Sequence, residues 1–335
     1  MKVLIIGYSS LGGVIFSTPV IRTLKTQLAD GEIHYLMKPH VAPAMQENPY
    51  IDKILIEEQS FRKTYQQLRG ERYDVIVDLS STFINSVLTF LLRTKTYRLP
   101  GYRWKTWLMV RFGMNQLPNL HLTERMLLTI KPLGVKPDDL GLDYFIPDKD
   151  EVPLEWLPEP FRKGYVAFYM GASYNTRKLP ITRMIELCDK INKPVLLLGT
   201  PEDFQAGESI AQFFLRSEQN HAWEEGLREL NKKTIIFNGC GKFNVNQTAS
   251  VIRQARYVFL FDGNFIPVAS AFRKEVFSIW GNTVPSFGQY PFNTRFTVLE
   301  NNKLSCRPCS ASGFDKCPKG HFKCMQENPF DFYLP

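Results

Sequence analysis

The sequence has no apolar run long enough to cross a membrane. Its longest candidate, FINSVLTFLL at residues 83–92, is short and interrupted by polar residues, whereas a transmembrane helix needs about 20 predominantly apolar residues. The N-terminus, MKVLIIGYSS, lacks the longer apolar region and the small-residue cleavage site of a signal peptide, and is typical of a first strand. We therefore expect a cytoplasmic protein.

Other patterns are missing too. The first glycine turn does not follow G-x-G-x-x-G, which argues against a Rossmann-type dehydrogenase. No D-x-D sequence stands at the end of a predicted strand, where it could bind a metal–diphosphate group. The net charge of +8 indicates an anionic partner, such as nucleotide phosphates, a membrane face or a nucleic acid. Because the basic residues that interleave with aromatics are confined to one stretch, we expect no nucleic-acid partner.

The 335 residues are enough for two domains, and strand patterns alternate with helical patterns in both halves. The predicted strands are KVLIIG, EIHYLM, KILIEE and YDVIVDLS, then YVAFYMGA, PVLLLGT, KTIIFNG, YVFLFDG and EVFSIWG. Residues 147–160, PDKDEVPLEWLPEP, are typical of a linker. The alternation predicts an α/β fold with two Rossmann-like domains at 1–150 and 151–300, followed by a cysteine-rich tail at 301–335. Their parallel sheets would face a central cleft, with ligands at the carboxyl ends of the strands.

Several segments at these strand ends occur in an order that resembles glycosyltransferase family nine, the ADP-heptose:lipopolysaccharide heptosyltransferases. The segments are SSLGGVIFSTPVIRTLK, ENPYIDKI, YDVIVDL, HLTER, GASYNTRKLP, FDGNFIPVASAF, SIWGNTVPSFGQYP and the tail CRPCSASGFDKCPKGHFKCM. The resemblance implies a GT-B fold. It also implies inverting transfer of a sugar from a nucleotide-diphospho-sugar, of the ADP-heptose type, to a lipopolysaccharide core acceptor, with no metal required for the transfer.

The position of the family's catalytic base is occupied by glycine. The family's opening motif is S-x-L-G-D, and the residue that corresponds to its aspartate is Gly13. A positioned base typically contributes about a hundred- to ten-thousandfold in rate. Asp78, at the end of YDVIVDL, is the nearest candidate substitute, although a structural role at a strand end is the stronger expectation. A histidine and an arginine that many relatives carry nearby are replaced by Ser80 and Ile84.

The residues that the resemblance assigns to the donor are better preserved than those that it assigns to the acceptor hydroxyl. The residues that survive in kind are Thr176, Arg177, Lys178, Asp262 and the N–H groups around Gly263, although Gly263 replaces the family's threonine and Asn264 its glycine. Asp203 is a further candidate donor residue because it follows another predicted strand. Arginine and lysine at a strand end are suited to phosphate, although a solvated basic turn is the alternative. Asp203 suits either a ribose hydroxyl or a helix N-terminus.

The stretch RTKTYRLPGYRWKTWLMVRF, residues 93–112, interleaves basic and aromatic side chains. This composition is found in single-stranded nucleic-acid sites and on surfaces that rest on anionic membranes. The family's membrane-bound acceptor favours a peripheral contact with the inner membrane, and a helix pair with core aromatics and solvated charges is the alternative. The residues to test are Arg93, Lys95, Arg98, Arg103 and Lys105.

The tail contains Cys306, Cys309, Cys317 and Cys324, with His321 near the last of them. Four soft ligands within nineteen residues suit a structural zinc site, and free thiols or disulfides are the alternatives. Cys188 and Cys240 lie in apolar segments and are expected to be buried thiols.

Two functions follow from these observations. The first is an active heptosyltransferase-like enzyme that uses a nucleotide-diphospho-sugar. The second is a catalytically degenerate relative that binds the nucleotide sugar or acts as a scaffold in envelope glycan synthesis, which the loss of the base at Gly13 favours.

Overall fold

The computed structural model describes residues 1–221 and 233–334, with side chains omitted from 217 to 221. The strands of the first half are β1 Lys2–Ile6, β2 Glu32–Met37, β3 Lys53–Ile56, β4 Val75–Asp78 and β5 Lys95–Arg98. They form a wholly parallel sheet in the order β3-β2-β1-β4-β5. The four predicted strands of this half are present, and β5 adds an edge strand that the polar sequence KTYR did not indicate.

The second half repeats this design with six strands. They are β6 Val166–Tyr169, β7 Val195–Leu198, β8 Ile236–Asn238, β9 Tyr257–Phe261, β10 Glu275–Trp280 and β11 Phe296–Glu300. All pairings are parallel, in the order β11-β10-β9-β6-β7-β8. This is the strand order of a doubly wound nucleotide-binding sheet. The five predicted strands are present, and β11 is again an edge strand that the sequence reading missed.

Helices cover both faces of the sheets. In the first half they are α1 Leu11–Phe16, α2 Thr18–Gln27, α3 Phe61–Glu71, α4 Phe83–Leu92, α5 Arg103–Phe112 and α6 Leu122–Ile130. In the second half they are α7 Glu159–Arg162, α8 Ile181–Ile191, α9 Phe204–His221, α10 Val245–Gln254, α11 Ile266–Ala271 and α12 Lys323–Gln326. Short 3₁₀ turns link them, and one of these, Pro39–Met45, lies between β2 and β3.

The central strands are buried on both faces, which explains their continuous apolar sequences. In β1, Val3, Leu4 and Ile5 are fully buried, and so are all four residues of β7. Within the described ranges, no helix combines the length and the apolar character that a bilayer crossing would require.

The predicted linker is folded against the second half of the chain. Its Asp150 accepts hydrogen bonds from Asn244 and Asn246 at 2.8 and 2.9 Å, at the beginning of α10. Val152 is buried, and its backbone N–H donates to Ser250. These contacts fix the path of the chain between the two sheets.

Candidate active site

The first glycine loop lies between β1 and α1, where Tyr8 packs directly over Gly13. Ser10 caps α1 by accepting a hydrogen bond from the Gly13 N–H at 3.2 Å. A Cβ atom placed on Gly13 would lie 3.0 Å from Cδ1 of Tyr8 and still closer to its Cβ and Cγ. Separations below 3.0 Å are essentially never seen for real Cβ atoms. Tyr8 therefore fills the space that a side chain at position 13 would need.

The same loop contacts the second half of the chain. The Gly12 N–H donates to Oδ1 of Asn264 at 3.4 Å, and α1 packs against α11. Asn264 was predicted to bind the donor, and in this structure it lies between the two halves. Gly263, the residue before it, lies next to Asp262 in the loop between β9 and α11.

Asp78 is fully buried and all its contacts are structural. One carboxylate oxygen accepts from the backbone N–H groups of Ser80 and Ser81, at 3.2 and 3.0 Å. The other oxygen binds Nε of Arg98 at 3.0 Å. The carboxylate thus fixes the loop after β4, and in this arrangement it presents no free surface to a substrate hydroxyl.

The predicted donor residues Arg177 and Lys178 lie together at the carboxyl ends of the second sheet, each paired with an aspartate. Arg177 Nη2 lies 3.0 Å from Asp262 Oδ2, and Lys178 Nζ lies 2.6 Å from Asp203 Oδ1. Thr283 also donates to Asp262, at 2.6 Å. Burial raises the pKa of Asp262 above its usual range, and the charge of Arg177 opposes this shift. Asp203 in addition closes a capping box with Thr200.

Thr176, the remaining predicted donor residue, is bound to the tail. Its N–H and its hydroxyl both donate to the carbonyl of Phe314, at 3.1 and 2.9 Å, and the Phe314 N–H donates back to the hydroxyl at 2.8 Å. The side chain is buried. Its hydrogen-bonding capacity is therefore used to hold the tail against the second sheet.

A cavity of about 600 Å³ lies between the first half of the chain and the tail; we call it the cleft cavity. Its walls come from Tyr8, the loop Leu99–Arg103, helices α5 and α6, the loop around Phe287, and residues 309–314 of the tail. Arg103 and Arg125 are the charged residues of this lining, which includes no carboxylate or imidazole from the described residues. None of the predicted donor residues lines it.

Arg125 projects from α6 into this cavity. Its guanidinium lies 4.4 Å from the centre of the Tyr102 ring and donates to the Pro100 carbonyl at 3.4 Å. Its Nε is buried and makes no hydrogen bond to any described residue. Burial lowers the pKa of Arg125. Burial also raises the pKa of the neighbouring Tyr8 to about 12, so its phenol stays protonated well above neutral pH.

The predicted basic and aromatic stretch forms β5 and α5, not a pair of helices. Its basic residues have different roles. Arg98 binds Asp78, Arg93 ends α4 in a left-handed conformation, and Arg103 lines the cleft cavity. Lys95 lies 5.3 Å from the ring centre of Tyr97, and Lys105 lies at the same distance from that of Tyr102.

Large aromatic side chains of α4 and α5 are exposed. The exposed fractions are 82% for Phe83, 80% for Phe90, and close to 60% for Trp104, Trp107 and Phe112. We call these five residues the aromatic surface. Their exposure is inconsistent with the alternative in which the aromatics of this stretch are core residues.

The four tail cysteines and His321 line one small cavity, and the Cys306 Sγ lies 3.8 Å from His321 Nε2. All four cysteines are free thiols. In the parts of the chain described, no three His, Cys, Asp or Glu side chains are arranged so that they could hold a metal ion. Cys188 and Cys240 are buried thiols, as expected, and burial raises the pKa of Cys240 to about 12.

Three residues of the site were missed by the sequence reading: Tyr8, Arg125 and Phe314. Arg125 was within the quoted segment HLTER without an assigned role, and the one hint of Tyr8 was the missing side chain at Gly13. Phe314 gave no signal, because its contact with Thr176 joins residues 138 positions apart.

Comparisons with known proteins agree with this architecture. The family model described as Glycosyltransferase family 9 (heptosyltransferase) matches residues 61–316. Lipooligosaccharide heptosyltransferase 2 of Haemophilus ducreyi is 23% identical over 86% of this chain and 85% of its own length. Lipopolysaccharide heptosyltransferase 3 of Escherichia coli K12 is 27% identical over 37% of this chain, which spans only 40% of that relative.

The solved structure of the Escherichia coli ADP-heptose LPS heptosyltransferase II has the same fold. It superposes with a TM-score of 0.66 at 18% identity and covers 98% of both chains. The two facing parallel sheets are therefore the GT-B arrangement. With three quarters of its length matched by the family model, the chain belongs to glycosyltransferase family 9, the heptosyltransferase family.

Proposed function

We propose that this protein transfers a sugar, with inversion, from a nucleotide-diphospho-sugar of the ADP-heptose type to a lipopolysaccharide core acceptor. The observation that carries the proposal is the pair Arg177 and Lys178 at the carboxyl ends of the second sheet. Both cations lie where a doubly wound sheet binds ligands. They supply positive charge for a departing diphosphate, so that transfer requires no metal.

The two ion pairs are compatible with this role. Nε of Arg177 is buried and has no hydrogen-bond partner in the described part of the chain, so that the guanidinium keeps a free donor. Lys178 is partly exposed. A diphosphate that enters this loop would share these cations with Asp262 and Asp203, and charge-assisted hydrogen bonds to phosphate contribute about 1.5–3 kcal/mol each.

A second candidate is a protein that binds the nucleotide sugar without turnover and acts as a scaffold in envelope glycan synthesis. It is favoured by the packing of Tyr8 over Gly13, which leaves no room for a base at that position. The buried, fully bonded carboxylate of Asp78 also favours it. A transferase without a positioned base would be slower by about a hundred- to ten-thousandfold.

Release of ADP from ADP-heptose, measured with a lipopolysaccharide core acceptor, separates the two candidates. The transferase proposal predicts release that depends on the acceptor and a product of inverted anomeric configuration, both lost in Arg177→Met. Donor binding without acceptor-dependent release would establish the second candidate. Absence of both donor binding and release would contradict the two together.

We also propose that the aromatic surface docks on the inner membrane at its cytoplasmic face. Exposed aromatics beside Arg93, Lys95 and Lys105 combine apolar and cationic contacts with an anionic bilayer. Trp104→Ser should weaken binding to vesicles that contain phosphatidylglycerol by about tenfold or more. Trp156→Ser, which removes an exposed tryptophan from another part of the chain, is the control. Equal binding by both variants and the native protein would contradict the docking.

For the tail we propose a structural zinc ion bound by Cys306, Cys309, Cys317 and Cys324. Four thiolates are a donor set that zinc binds in closed tetrahedral sites, and the four side chains line the same cavity. Because they do not stand in a ligating arrangement in this structure, they would have to move together around the ion. Elemental analysis of the purified protein should find one zinc per chain, reduced in Cys317→Ser. Protein that is purified without chelator and contains no zinc would refute the site.

A further inference from the structure

The tail is fixed at the carboxyl ends of β10 and β11 by the buried side chain of Arg307, which is 4% exposed. Its Nε donates to the carbonyl of Gly281. Its Nη2 donates both to the carbonyl of Thr283, at 2.9 Å, and to the carboxylate of Glu300, at 2.8 Å. A guanidinium presents its donors in a rigid, planar fork, so these bonds fix the acceptors relative to one another. Arg307 therefore ties residues 281–283, which we call the β10 loop, to the end of β11.

Other residues of the tail hold the same loop. The Cys309 N–H donates to the carbonyl of Asn282 at 3.1 Å. Met325 packs so closely on Gly281 that a Cβ atom placed on this glycine would lie 2.6 Å from the Cε of Met325. The same Cβ atom would lie 2.8 Å from the carbonyl oxygen of Thr176. The β10 loop thus lies directly against the loop after β6, which the tail holds separately through its hydrogen bonds to Thr176.

Both loops lead to the ion pair between Arg177 and Asp262. Arg177 follows Thr176 in the loop after β6, and the Thr283 hydroxyl of the β10 loop donates to Asp262 at 2.6 Å. The hydroxyl and the Nη2 of Arg177 contact the same carboxylate oxygen, Oδ2. Thr283 and Asp262 are both buried. The Asp262 carboxylate therefore orients Arg177, and the Thr283 hydroxyl orients this carboxylate. Arg307 in turn holds Thr283.

This series of contacts affects how readily Arg177 can bind a ligand. A diphosphate that enters the donor site competes with Asp262 for Arg177. An arginine side chain that is already held in one orientation loses less conformational freedom when it binds a ligand. Without the Thr283 hydroxyl, the buried carboxylate of Asp262 would lose a hydrogen bond and would depend more strongly on Arg177. The contact with Thr283 therefore makes Arg177 easier to share with a phosphate.

We propose that Arg307 is a positioning residue of the donor site. Through the β10 loop it holds the Thr283 hydroxyl on Asp262, and it thereby directs Arg177 toward the diphosphate of the nucleotide sugar. The tail is then a functional part of the donor site, acting through residues of the second sheet. The role of the diphosphate as the leaving group rests on the proposed function, whereas the positioning of Arg177 requires only that a diphosphate binds.

Calorimetric titration with ADP tests this role in Arg307→Met, which should bind ADP about tenfold or more weakly than the native protein. Arg22→Met is the matched control. Arg22 is also a buried arginine that binds carboxylates and a backbone carbonyl, that of Gly141, but it belongs to the first half of the chain. This control should lose stability and keep the native affinity for ADP. Unchanged affinity in Arg307→Met, or equal losses in the two variants, would overturn the proposal.

A pair of substitutions at Thr283 tests the contact with Asp262, and it does so even if Arg307→Met fails to fold. Thr283→Val removes the hydroxyl, preserves the shape of the side chain, and should weaken ADP binding by about three- to tenfold. Thr283→Ser keeps the hydroxyl and should restore the native affinity. Circular dichroism verifies that each variant is folded. Native affinity in a folded Thr283→Val variant would overturn the route through Asp262.

A double-mutant cycle with Arg177→Met separates positioning from general support of the fold. If Arg307 acts through Arg177, Arg307→Met should change the ADP affinity by less than about twofold in the Arg177→Met background. A loss of the same size in both backgrounds would show that Arg307 does not act through Arg177, and would overturn the proposal.

The outcome can be separated from that of the proposed function, because titration with ADP involves neither the sugar nor the acceptor. A native protein that binds ADP, with the losses predicted for the variants, but releases none from ADP-heptose would refute transfer alone. A protein that transfers the sugar with the same KM for ADP-heptose in Arg307→Met as in the native form would refute the positioning role alone. A native protein that does not bind ADP would overturn both.

Discussion

Gly13→Ala should destabilise the protein, because Tyr8 occupies the space that the new methyl group needs. The obstructing atoms include Cβ of Tyr8, which is fixed by the backbone, so rotation of the ring gives no relief. Overpacking in a buried site costs about 1–3 kcal/mol, occasionally more. Alanine gains up to about 1 kcal/mol over glycine in a helix interior. The methyl group needs a backbone shift to be accommodated, so we expect a net loss of about 2 kcal/mol.

Equilibrium unfolding in urea measures this loss, with Gly70→Ala as the matched control. Gly70 lies in α3, and a Cβ atom there would meet nothing within 4 Å. That variant should be as stable as the native protein or more stable by up to about 1 kcal/mol.

A double-mutant cycle adds a direct test of the contact. Tyr8→Gly removes the obstructing Cβ, so Gly13→Ala should cost less in that background than in the native one. Gly13→Asp should be destabilised in the same way and should not raise transfer above the native level. A Gly13→Ala variant as stable as Gly70→Ala would refute the packing of Tyr8 over Gly13.

Two other predictions concern stability. Arg22 is buried and binds Asp138 at 2.6 and 2.7 Å and also Asp143. Arg22→Met leaves both carboxylates without this partner and should lower the free energy of unfolding in urea by about 3–5 kcal/mol. A loss below about 1 kcal/mol would contradict the role of this ion-pair network. Burial lowers the pKa of His121 to about 4, and its Nε2–H donates to Tyr290. Because the unfolded chain protonates this histidine at higher pH than the folded protein does, the free energy of unfolding should fall by up to about 3 kcal/mol as the pH drops from about 6.5 to about 4. His121→Gln should reduce this dependence on pH. An equal dependence in both proteins would contradict the prediction.

The sequence was informative where burial alone determines structure. The strand VLLL is apolar throughout, and KVLII is apolar after Lys2, because both faces of each parallel sheet are covered. The strands β5 and β11 escaped prediction because edge strands are partly exposed, so their sequences, KTYR and FTVLE, mix polar and apolar residues. The other two edge strands, β3 and β8, were predicted because their segments contain the apolar runs ILI and IIF. An edge strand without such a run is recognised mainly by its neighbours, which the sequence does not identify.

The site could be predicted only in part. That Arg177 and Lys178 follow a strand was evident from the local sequence. Their ion pairs were not, since Asp262 is 85 positions from Arg177 and no periodicity links them. The loss of a side chain at Gly13 was equally evident, but the reason for it is the position of the Tyr8 ring, which depends on the turn between β1 and α1.

Calorimetric titration with ADP-heptose tests the central claim, that the carboxyl ends of the second sheet hold a nucleotide diphosphate sugar. We predict saturable binding with one site per chain, weakened at high salt and reduced about tenfold or more in Arg177→Met and in Lys178→Met. Absence of binding by the native protein, or equal binding by the native protein and both variants, would contradict it.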